Sequence, residues 1–204
     1  MRKYVMEAIG TFFLAIAMGL TGNALAIGLM LAAMIYTGMH ISGAHFNPAV
    51  SFAYFIRRKI TLNTFLGYLI SQSLGAFAAA GVILFLANDV FYLEPPVSTD
   101  IYEQGITELL LTMALVLTYL NVASTKVLAS GKSYGLVIGL VLSGMIYLGF
   151  NISGAVFNPA ISIGTSAVDF LAIQGASFQY IPLYTIAPIA GGTLATLLYQ
   201  YLND

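Results

Sequence analysis

The chain has no cysteine and no tryptophan, and only 7% of its 204 residues are charged. Without cysteine there is no disulfide, no thiol nucleophile and no thiolate metal site. The shortage of charge excludes more. A soluble domain carries about 25% charged residues, so this chain cannot cover a water-facing surface. At 59% hydrophobic, with a mean hydropathy of +0.91, its solvent is a bilayer. A net charge of −1 offers nucleic acid nothing to bind. No nucleophile–base pair and no cluster of metal-ligand spacing occurs, so an enzyme, a cofactor and a metal have no support in the residues.

What is abundant is long apolar runs. A spanning helix needs about 20 such residues, and six candidates fit: 4–20, 24–39, 62–86, 105–122, 134–150 and 180–202. Two apolar segments, 47–56 and 158–168, are too short; each predicts a helix of roughly 15 Å, half the hydrocarbon thickness. All seven basic residues then fall on one side: Arg2 and Lys3, Arg57, Arg58 and Lys59, Lys126 and Lys132. Asp89, Glu94, Asp100, Glu103 and Asp169 fall on the other. The positive-inside rule predicts cytoplasmic termini, and the expected location is the cell's plasma membrane.

The chain also repeats itself. His40-Ile-Ser-Gly-Ala-His-Phe-Asn-Pro-Ala-Val-Ser51 returns 111 residues later as Asn151-Ile-Ser-Gly-Ala-Val-Phe-Asn-Pro-Ala-Ile-Ser162, with nine of twelve positions identical. Glu7-x-x-x-Thr11 returns as Glu108-x-x-x-Thr112, which makes the first span part of the repeat and a retained helix rather than a cleaved leader. Each copy holds three spans and one short segment. Three is odd, so the second copy enters the membrane inverted. The predicted architecture is an all-α membrane protein of six transmembrane helices and two re-entrant half-helices. It forms a single domain over residues 1–204, with inverted repeats at about 1–86 and 104–204 joined by an external loop at 87–103.

Paired short segments in matching halves point to the pathway of a solute. Asn followed by Pro reads as a helix start, because Asn caps well and Pro suits the first helical position. Asn47-Pro48-Ala49 and Asn158-Pro159-Ala160 would therefore bring two helix N-termini face to face. The cap uses each amide oxygen and leaves the NH₂ as a directed donor. Ahead of the caps, small residues bring irregular backbone close to a solute, so the carbonyls of Gly43, Ala44, His45, Gly154, Ala155 and Val156 are candidate pore acceptors. Such backbone is tolerated at membrane depth only where it is buried or lines a watery cavity.

These motifs, with Glu7-Ala-Ile-Gly-Thr-Phe, Gly67-Tyr-Leu-Ile-Ser-Gln-Ser-Leu-Gly75 and Ala187-Pro-Ile-Ala-Gly-Gly192, resemble the aquaporin (major intrinsic protein) family over essentially the whole chain. The resemblance implies a pore within each subunit, a homotetramer, and Glu7 and Glu108 as acceptors supporting the re-entrant loops. It also implies a selectivity filter of four positions, matched here by Ile27, Ile146 (or its neighbour Met145), Ala155 and Ile161. The family's usual Arg corresponds to Ile161. Some plant vacuolar members also carry an aliphatic residue there and are associated with ammonia, urea and hydrogen peroxide as well as water. Glycerol-conducting members have an Asp where this chain has Ser162. The expectation is a passive channel for water and small neutral solutes such as ammonia, hydrogen peroxide and urea. The alternatives are a glycerol channel, or a coupled transporter, for which no acid beyond Glu7 and Glu108 could bind a driving ion.

Overall fold

A computed structural model describes residues 1–124 and 134–203, all of its regular structure helical. In chain order the helices are α1 (Arg2–Thr21), α2 (Ala24–Ser42), α3 (Pro48–Ile56), α4 (Leu62–Ala87), α5 (Ile101–Ser124), α6 (Tyr134–Ser153), α7 (Pro159–Ile173) and α8 (Ile181–Asn203), the last preceded by a 3₁₀ turn at Ser177–Tyr180. Six are long and apolar enough to cross a bilayer, and α3 and α7 are the short ones. Lys126 and Lys132 lie outside the described residues.

The helix ends are set by local chemistry. The helices α2 and α6 run three residues further than their apolar patterns suggest, to Ser42 and Ser153. In each case a glycine in the left-handed region, Gly43 (φ 88°) or Gly154 (φ 82°), stops the helix. The α7 helix also exceeds expectation. It continues past 168 to Ile173 because nothing breaks it before Gln174 and Gly175, whose N–H groups close the last turn on Phe170 and Asp169.

The packing of the first half recurs in the second. The α1–α4 and α1–α2 contacts correspond to α5–α8 and α5–α6, while α4 covers α7 as α8 covers α3. At the centre, α2 crosses α6 through glycine. A Cβ on Gly139 would collide with the Gly28 carbonyl, and one on Gly135 would crowd Tyr36 and the Ala32 carbonyl. Gly38 and Gly149, 111 residues apart, each leave room for a buried phenylalanine, Phe46 and Phe157 respectively. Apolar residues also cover the outer surface: Ile70 and Leu74 are each 60% exposed and Ile186 69%. That is the surface a lipid-solvated bundle presents.

Candidate functional site

The repeated phrase builds two matching loops. In the first, the Gly43 N–H donates to the Met39 carbonyl and the Ala44 N–H to the Ser42 hydroxyl (3.0 Å each). The next two N–H groups, of His45 (3.0 Å) and Phe46 (2.6 Å), donate to the two carboxyl oxygens of Glu7. The Ser42 hydroxyl (2.6 Å) and the Gln72 amide (2.7 Å) complete that carboxylate's partners. In the second loop Glu108 accepts from Ser153 (2.7 Å), the Val156 N–H (3.0 Å) and the Phe157 N–H (2.7 Å). Both carboxylates are fully buried. Each therefore gathers the N–H groups of its loop on one side and leaves the carbonyls to turn the other way.

This geometry holds strained backbone in place. Ala44, Phe46, Ala155 and Phe157 all have φ between 50° and 54°, a region non-glycine residues rarely adopt. Such residues persist only when their surroundings fix them, which the buried carboxylates do. Two tyrosines contribute from the third long helix of each half: Tyr68 donates to the Ser42 carbonyl and Tyr184 to the Ser153 carbonyl. Tyrosine at a matched place in the third span of each half is the signal that could have found this pair.

The two asparagines cap as expected: Asn47 Oδ1 accepts from the Ala49 N–H (2.8 Å) and Asn158 Oδ1 from the Ala160 N–H (3.1 Å). Their amide nitrogens are not left wholly for a solute. Asn47 donates to the Phe157 carbonyl (2.8 Å) and Asn158 to the Phe46 carbonyl (2.9 Å), so each cap reaches into the opposite half. One hydrogen of each NH₂ is used, and the other remains as a donor.

Of the six proposed acceptor carbonyls, those of Gly43, His45, Gly154, Ala155 and Val156 receive no hydrogen bond among the described residues. The Ala44 carbonyl differs, because the Tyr119 hydroxyl donates to it at 3.1 Å.

Between the caps lies a narrow enclosed cavity of about 20 Å³, room for roughly one water. Its walls follow the repeat: Leu14 with Leu115, Leu31 with Leu142, and Met18 with Tyr119, closed at the middle by Asn47 and Asn158. Ile146, Ala155 and Ile161 line the same cavity. Ile27 is buried but is not on the lining; Leu31, one helical turn further along α2, takes that wall. His45 contributes the only titratable ring other than Tyr119. Its Nδ1 lies 3.1 Å from the Ser51 hydroxyl, and its ring packs between Tyr54 and Tyr68. Among the described residues no group of three or more His, Cys, Asp or Glu could hold a metal.

Comparison with known proteins agrees with this geometry. A family profile described as "Major intrinsic protein" matches residues 1–199. Aquaporin AqpM of Methanothermobacter marburgensis is 32% identical, the match covering 88% of this chain and 76% of the relative. Glycerol uptake facilitator protein-like 6 of Lactiplantibacillus plantarum is also 32% identical, covering 100% and 99%. Among solved structures, the aquaglyceroporin from Plasmodium falciparum superposes with a TM-score of 0.85 at 24% identity, over 97% of this chain and 94% of that one.

Proposed function

The chain belongs to the major intrinsic protein family of passive membrane channels, and from that premise we infer which solutes it passes. Water and small uncharged molecules are the family's cargo; we propose that ammonia and hydrogen peroxide pass this pore well relative to water. The observation that carries the reading is the cavity wall. Leu14, Leu31, Leu115, Leu142, Ile146 and Ile161 surround a space that offers few hydrogen bonds. A solute losing water there without replacement partners is penalised by roughly 1–3 kcal/mol or more per group. Solutes with low dehydration costs are penalised least. With no Arg at Ile161, a wall donor and a positive barrier are also missing. The helix starts at Asn47 and Asn158 supply partial positive charge at the midplane, which disfavours cations.

Stopped-flow measurements on proteoliposomes of the purified protein test this, with water, ammonia, hydrogen peroxide, urea and glycerol offered in turn. The expected result is ammonia and peroxide flux high relative to water, with no dependence on a proton gradient. Glycerol flux exceeding all of these would favour the alternative, in keeping with the facilitator named above. Flux driven by the gradient would point to coupled transport.

The further proposals are a homotetramer in the plasma membrane, both termini cytoplasmic. For the orientation the supporting observation is charge: Arg2, Lys3, Arg58 and Lys59 lie on one side and Asp89, Glu94, Asp100 and Glu103 on the other. Because the chain has no cysteine of its own, a single introduced thiol reports cleanly. An impermeant maleimide added to intact cells should label Ser98→Cys and leave Lys59→Cys untouched. The reverse pattern would invert the topology.

A further inference from the structure

We propose that Tyr119 sets the permeability of this channel: its ring closes the lumen on the side of the chain termini, held there by its bond to the Ala44 carbonyl. The inference rests on the channel reading above and adds a residue that neither the repeated phrase nor the four filter positions contain.

Three observations carry it. First, Tyr119 is 1% exposed, lines the central cavity, and places its hydroxyl 3.1 Å from the Ala44 oxygen. The two partners come from opposite halves of the chain, α5 and the loop before α3, so the bond is a bar across one end of the cavity. Second, it breaks the repeat. The equivalent position in α1 is Met18, which lines the other end of the cavity and carries no hydroxyl. The Ala155 carbonyl, equivalent to that of Ala44, accepts no bond among the described residues. The two ends of the lumen are thus chemically unlike. Third, the Ala44 carbonyl is one of the acceptors that a solute would use. A tyrosine donor seated on it competes with the solute for that partner and fills the path with an aromatic ring. Conduction then requires the ring to swing aside, at the expense of the bond.

The test is flux through proteoliposomes of wild type, Tyr119→Phe and Tyr119→Leu. Phenylalanine keeps the ring and removes the bond, so ammonia and water flux should rise about 2- to 10-fold, the weight of one net hydrogen bond on an open–closed equilibrium. Leucine also removes the ring, and should raise flux further and admit urea more readily. A purely structural tyrosine predicts something else: a lower unfolding temperature for Tyr119→Phe with flux unchanged or reduced, which overturns the proposal. If Tyr119→Leu does not fold, the phenylalanine variant alone decides. Wild-type flux without a rise in either folded variant refutes the role of Tyr119 only. No flux of any solute through wild type or variants refutes the channel reading as well.

Discussion

Glu7→Ala should cost the protein its fold before it changes what the pore selects. The carboxylate accepts four hydrogen bonds, from Ser42, the His45 and Phe46 N–H groups, and Gln72. Alanine takes the acceptor from each of these buried donors, with only the Gln72 amide keeping a second bond, to the Ser51 hydroxyl, at roughly 1–3 kcal/mol apiece. The sum, on the order of 4–12 kcal/mol, competes with the whole stability of a typical domain, about 5–15 kcal/mol. Ala44 and Phe46 would also lose what holds them at positive φ. The expected readouts are a large drop in monodisperse yield after detergent extraction and a much lower unfolding temperature. Glu108→Ala should be milder, because its site has three donors: the position matching Gln72 is Pro188, which has no side-chain amide. A Glu7→Ala protein of normal yield but altered solute preference would show that the carboxylate acts on the solute directly.

Ile161→Arg should lower the ammonia-to-water flux ratio by about tenfold, equivalent to roughly 1.4 kcal/mol. Ile161 is fully buried and lines the cavity. An Arg there adds five N–H donors and a fixed charge. Those donors return to water some of the bonds it gives up on entry, while ammonia gains less. The cavity holds about 20 Å³, so the longer side chain must also narrow it. Both effects reduce total flux and shift selectivity toward water. Stopped-flow comparison of the two proteins measures the ratio directly. An unchanged ratio would place the controlling constriction elsewhere, at Asn47 and Asn158 or at Tyr119.

How far these features could be read from the residues depended on how local their cause is. The half-helix starts were legible because capping is a matter between neighbours: Asn47 and Asn158 bond N–H groups two residues on. Glu7 and Glu108 stood out as acids within apolar spans. The family resemblance, rather than any local pattern, singled out Ile146, Ala155 and Ile161, and all three line one cavity. Ile27, matched in the same way, is buried, while α2 contributes Leu31 to the lining of this cavity. Tyr119 gave no local sign. In an apolar span it reads as core, and only the approach of a loop 75 positions earlier in the chain gives its hydroxyl a purpose. The full length of α7 was hidden for the opposite reason. Its end is fixed by a left-handed Gln174, a conformation that apolar periodicity does not encode.

The reciprocal bonds from Asn47 to Phe157 and from Asn158 to Phe46 have a consequence for how the molecule is made. The carbonyl that steadies the first asparagine does not exist until the ribosome has added more than a hundred further residues. The first half can insert its helices during synthesis, but the amide at its tip stays unanswered until the second half arrives, and the second is bound by the same debt to the first. Assembly at the midplane is therefore a joint event late in biogenesis. A lesion in either tip should strand both halves, and two separately expressed halves should become competent only when they meet in one membrane.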